Sequence, residues 1–168
     1  MRVLLYILLI IAIQGALTRL IPPSVTTSVS PPDLFLLTAV ALAFRLRPAY
    51  ALLIAYGIGF LQDILGHGLL GLHAAGTAGG VLLLLGLRKF LSDQGPLQMI
   101  VSVTTAVAGQ WLTFLILTYW LRNGLVTVMT LQTVLPSVLV LTLLAAPLME
   151  RFATWAFGPR PTAEGSLA

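Results

Sequence analysis

Side chains able to bind a metal, move a proton or attack a substrate are scarce in this sequence. Those that stand near one another fall between positions 62 and 73. Gln62, Asp63, His67 and His73 lie there, interleaved with Gly66, Gly68 and Gly71. Asp63 and His67 are four residues apart and share a face if one helix runs through both. With His73 they form a three-ligand set of the kind that holds zinc. Gly66 and Gly68 argue against a continuous helix, and no further carboxylate stands near to orient the imidazoles. A structural role competes with the metal one. In it, Asp63 caps or hydrogen-bonds the backbone of a Gly-rich turn, with His73 as a further donor. We favour this role, and on it an Asn at position 63 should be tolerated.

The glycines admit two readings of the same kind. Nine of the fifteen lie between positions 57 and 86. Either they let two helices pack closely across a short turn, or they open an outward cavity lined by Gln62, Asp63 and His73. Packing is the favoured reading. Elsewhere the chemistry thins out further. There is no Cys, no nucleotide-binding loop, no His-Glu-x-x-His and no Gly-x-Ser-x-Gly. Of five acidic residues, Asp33, Asp93, Glu150 and Glu164 fall at helix ends or in tails. Proton pumps and ion-coupled transporters carry intramembrane carboxylates in pairs or relays, and Asp63 stands alone. The sequence is therefore expected to be neither an enzyme nor a metal- or cofactor-binding protein.

The elements that must position these residues follow from composition. Of 168 residues 58% are hydrophobic and 8% charged, against about 25% charged in a soluble globular domain. This excludes an ordinary soluble domain, a disordered chain and a nucleic-acid-binding protein. The solvent left is a lipid bilayer. Charged or polar punctuation divides the apolar runs at 3–18, 34–44, 49–65, 69–87, 97–121 and 134–149, with a Pro/Ser/Thr-rich loop over 22–32. The pattern predicts an all-α, polytopic membrane protein with six transmembrane helices. The second run is too short to cross a core of about 30 Å unaided. The first resembles a signal peptide in its apolar stretch but runs on to Leu20-Ile21, and reads as an uncleaved helix. Residues 1–157 make one transmembrane domain, and 158–168 read as a disordered cytoplasmic tail.

Basic residues orient the bundle. With the N-terminus inside, Arg2, Arg45, Arg47, Arg88, Lys89, Arg151 and Arg160 fall on the cytoplasmic side, and only Arg19 and Arg122 outside. Both termini are therefore expected in the cytoplasm. Surfaces for a partner are also legible. Ala12 and Ala16, with Gln14 beside them, give the first helix a small-x-x-x-small face, and Gly76 with Gly80 give one to the fourth. Residues 122–132, including Leu125 and Met129, read as a short interfacial helix on the outer side. Residues 148–157 suit a helix end in the inner interface.

Part of this pattern resembles a known family. The Pro32-Asp33-Leu34 helix start, the Arg/Pro-marked inner turn, Gly57-x-Gly59-Phe60-Leu61-x-Asp63, and Gly66 followed by Leu70-Gly71-Leu72-His73-Ala74 are similar to the rod shape-determining protein MreD family. The specific part spans 32–74; length, order and topology agree over most of the chain. The resemblance implies a non-enzymatic inner-membrane scaffold of the bacterial cell-elongation machinery. It binds the transmembrane helix of MreC and, through it, influences penicillin-binding protein 2, RodA and MreB. The fold implied is an S-component-like bundle, similar to the substrate-binding S component of energy-coupling-factor vitamin transporters. That supplies a second reading, because S components dock on their partner through a small-residue face of the first helix. Outer loops poor in convergent polar groups favour the scaffold.

Overall fold

The structure, a computed structural model, describes residues 1–20, 30–66, 69–88, 95–121 and 128–161, with only the backbone of Pro96 and of residues 128–130. Among the described residues all regular structure is helical. The six helices are α1 (Arg2–Leu20), α2 (Leu34–Ala43), α3 (Pro48–Leu65), α4 (Leu72–Arg88), α5 (Pro96–Leu121) and α6 (Val128–Phe157). Four of them, α1, α3, α5 and α6, are long and apolar enough to cross a membrane. The other two are shorter, so the expectation of six independent crossings is met by length in four. At 17 residues α4 covers about 25 Å and α2, at 10, about 15 Å.

The short α2 is the centre of the bundle. Its sequence is apolar on every side, which is the composition of a helix surrounded by protein. All ten of its residues are buried, and it touches each of the other five helices. Asp33 caps it, with Oδ1 accepting from Leu36 N at 2.8 Å. Its end is set by the approach to Pro48: Arg47 is held extended (φ −63°, ψ 146°), and Pro48 opens α3 without needing an N–H partner.

Small residues pack α3, α4 and α5 into the tightest part of the molecule. A Cβ on Gly80 would lie 2.5 Å from the Ala106 carbonyl oxygen, and one on Gly109 2.9 Å from Gly80 Cα. In lipid, such close backbone approach supplies the van der Waals contact that drives helix association. By contrast α1 is peripheral: Tyr6 and Ile10 are its buried residues, and most of its other apolar side chains face outward.

One sequence expectation changes at α6. Residues 128–132 belong to the start of this 30-residue helix and are not a separate interfacial one, while residues 148–157 form its end. Pro136 and Pro147 lie inside it. A membrane helix tolerates such prolines because its neighbours can meet the freed carbonyls. A second change concerns the tail. Residues 158–161 fold back onto the bundle, where Gly158 O accepts from Arg45 Nε at 2.9 Å and Arg160 lies 4.5 Å over the Phe44 ring. Residues 162–168 lie outside the described residues.

Candidate functional site

Polar side chains gather in three clusters, and each holds helices together. The first contains Asp63. Glycine at position 59 removes the Cβ that would strike the backbone of His73 and Ala74, so α4 comes directly against α3. One turn later, on the same face, Asp63 meets the start of α4. Its Oδ2 accepts from Gly71 N at 2.8 Å and Ala74 N at 3.1 Å. Its Oδ1 accepts from His73 N at 3.0 Å and pairs with His73 Nδ1 at 2.8 Å. A carboxylate from one helix thus caps the next, meeting backbone donors that the first turn of α4 leaves unpaired. Gly71 takes φ +93°, a conformation that favours glycine, and so turns the chain into the cap.

The remaining residues singled out around Asp63 separate. Gly66 is extended (φ −91°, ψ −179°), so no left-handed conformation explains the glycine there. Gln62 stays out of the cluster, and its Oε1 is buried with no hydrogen-bond partner. His67 lies outside the described residues, and no metal-ligating group of three is formed among those described. The His73 ring stands edge-on to Phe114, 5.6 Å between centroids, and Phe114 fills the space left by Gly76.

The second cluster escaped the sequence reading. Asp33, read there as a helix-end acid, accepts from Gln110 Nε2 at 2.9 Å through Oδ2, while its own N–H donates to Thr142 Oγ1 at 3.2 Å. Leu34 N donates to Gln14 Oε1 at 3.2 Å, and Ser30 N to Ser137 Oγ at 3.2 Å. The start of α2 is therefore tied to α1, α5 and α6 at once. Lone polar residues inside apolar runs, Gln110 and Thr142, were the available signal. Both are buried, and a buried polar group needs a partner.

The third cluster lies at the opposite end. Glu150 Oε1 pairs with Arg45 at 2.8 Å and with Arg160 at 2.9 Å. Arg45 also donates to Ala41 O and Thr154 Oγ1, and Arg88 to Ala43 O. This closes the C-terminal ends of α2, α4 and α6.

The partner-face candidates divide sharply. Ala12 and Ala16 are exposed on the outer side of α1. Gln14 is not part of that face, since its side chain turns inward to Leu34. The Gly76 and Gly80 face is also withdrawn from the surface: both are buried, against Phe114 and Ala106 of α5. Leu125 and the side chain of Met129 lie outside the described residues. The arrangement defines an all-α bundle whose polar groups fix helix ends. Compared with protein-family models, curated proteins and solved structures, the chain matches none of them.

Proposed function

We propose that this chain is a non-enzymatic scaffold of the bacterial cell-elongation machinery, an MreD-like protein of the inner membrane with both termini cytoplasmic and an S-component-like bundle. It holds the transmembrane helix of MreC on the exposed Ala12/Ala16 face of α1 and acts through MreC on penicillin-binding protein 2, RodA and MreB. One observation carries the reading. The three described carboxylates, Asp33, Asp63 and Glu150, are all engaged in bonds between or at the ends of helices. Groups held this way stiffen a platform; they do not converge on a substrate. The residues of the family-like motif, Gly59, Asp63, Gly71, His73 and Ala74, make up one of these clasps, which gives the motif a structural reason.

A second reading, the S component of an energy-coupling-factor vitamin transporter, draws on the same open face. Small residues on a first helix suit docking to a transporter subunit as well as to a single partner helix. Co-purification separates the two. Wild type is expected to retain MreC, and Ala12→Leu with Ala16→Leu to lose it while remaining monodisperse. A folded double mutant that keeps MreC overturns the assignment of the face. Wild type that binds no MreC but binds a vitamin-sized ligand tightly overturns the scaffold reading in favour of the transport module.

A further inference from the structure

At the end of the bundle where α1 begins and α6 finishes, a groove of about 430 Å³ runs between these two helices. Leu5 and Leu9 wall it from α1, and Leu148, Arg151, Phe152 and Trp155 from α6. Positions 148, 151, 152 and 155 fall on one helical face, so the groove follows the helix axis. Tyr6 forms part of it but turns its hydroxyl away, to Thr38 Oγ1 at 3.0 Å. Among the described lining residues Arg151 is thus the one charge. It is exposed, and its guanidinium has no hydrogen-bond or ion-pair partner among the described residues. Arg45 and Arg160 differ, since Glu150 holds both. The same end carries most of the chain's basic residues, and Trp155 is exposed beside Arg151, as amphipathic rings are at headgroup level.

We propose that this groove seats an acyl chain of an anionic phospholipid whose phosphate is held by Arg151. The lining favours a lipid chain over a protein helix: its described residues are large aliphatic and aromatic side chains with Arg151, without the small-residue stripe that lets a second helix approach closely in lipid. Charge favours an anionic head. A guanidinium without a partner among the described residues, at the rim of an apolar channel, offers planar donors to phosphate, and its long stem reaches from the wall to the membrane surface. Basic pockets between membrane helices on the cytoplasmic side bind anionic headgroups on this principle. The inference rests on the chain being membrane-embedded and not on MreC, so failure to bind MreC leaves it standing.

The test uses the full chain, delipidated in detergent and titrated with palmitoyl-oleoyl phosphatidylglycerol or with phosphatidylcholine of the same chains. Bound lipid is counted by native mass spectrometry. Wild type is expected to retain one phosphatidylglycerol with at least fivefold preference over phosphatidylcholine. Arg151→Gln, at an exposed position that leaves folding intact, should reduce that preference about fivefold while one lipid of either kind still binds. Arg19→Gln, at the other end, should leave the preference unchanged. Leu9→Trp with Leu148→Trp should fill the groove and abolish retention of either lipid at an unchanged melting temperature. Equal retention of the two lipids by wild type overturns the proposal, as does wild-type preference in Arg151→Gln. Loss of MreC, with lipid retained, from the groove-filled variant would make the groove a helix-docking site and overturn it too.

Discussion

Replacing Asp63 by Asn separates a carboxylate that clasps α4 from a side chain that merely needs to be polar. From the sequence alone Asn is adequate, because it keeps most of the hydrogen-bonding capacity of the carboxylate. The structure changes that expectation. Both carboxylate oxygens are used, two donors on each: Gly71 N and Ala74 N on Oδ2, His73 N and His73 Nδ1 on Oδ1. An amide offers one acceptor oxygen and turns its NH₂ toward the other two donors. Each donor left unmet costs about 1–3 kcal/mol when buried. Gly71 and His73 are partly exposed, so water recovers some of this, and Asp63→Asn should cost about 2 kcal/mol. Asp63→Leu strands all four donors and should cost about 4 kcal/mol. For a chain of this size, 1 kcal/mol shifts the melting temperature by about 2–4 °C. Unfolding of the detergent-purified protein, followed by tryptophan fluorescence, is therefore expected to fall by about 4–8 °C for Asn and about twice that for Leu. Trp111 reports on this region, since its ring meets Phe114 at 5.9 Å and Phe114 meets His73. An Asn variant that melts within 2 °C of wild type refutes the four-donor account. An Asn variant of wild-type stability that has lost MreC shows instead that the charge itself carries function.

Glycine substitutions should divide by position: Gly80→Leu is expected to aggregate or lose its fold, because even a Cβ meets the Ala106 carbonyl. Gly57→Ala meets nothing within 4 Å and should be neutral or stabilising by about 0.5–1 kcal/mol, which thermal unfolding measures for both. Glu150→Gln should release the segment carrying Arg160, so that a cysteine placed at Pro161 is labelled several-fold faster by maleimide than in the wild-type background. Topology is open to the same chemistry, as the chain has no Cys: Ser28→Cys should react with an impermeant reagent from outside, and Ser92→Cys and Ser166→Cys only after the membrane is opened.

The fold was legible where punctuation and hydropathy coincide. Apolar runs ended by Arg45-Leu46-Arg47-Pro48 or Arg88-Lys89 delimit helices because a charge is costly inside lipid and proline restricts the residue before it. Length alone hid the role of α2. Ten apolar residues read equally as a short crossing or a core helix, and only surrounding protein distinguishes them. At α6 the apolar run reads from 134 to 149, whereas the helix starts at Val128, ahead of the polar residues Thr130, Gln132 and Thr133, and continues to Phe157 through Pro136 and Pro147. At the candidate site, the Gly59–Asp63–His73 relation could be read because the residues are close in sequence and of types suited to capping. Asp33 with Gln110 and Thr142 could not, since its partners stand 77 and 109 positions away. Gly76 and Gly80 read as a face for a partner, but they are buried against α5; a small-residue stripe does not say whether its neighbour is a helix of the same bundle or a separate chain.

The central claim, that the outer face of α1 receives the transmembrane helix of MreC, is tested most directly by disulfide cross-linking in the native membrane. Ala12→Cys or Ala16→Cys in the otherwise cysteine-free chain is paired with single cysteines stepped along the MreC helix. Heterodimers are expected at MreC positions spaced three and four residues apart, the pattern of one helical face lying against α1, and not from Leu53→Cys on the exposed side of α3. Cross-links from Leu53→Cys with none from Ala12→Cys or Ala16→Cys would contradict the account.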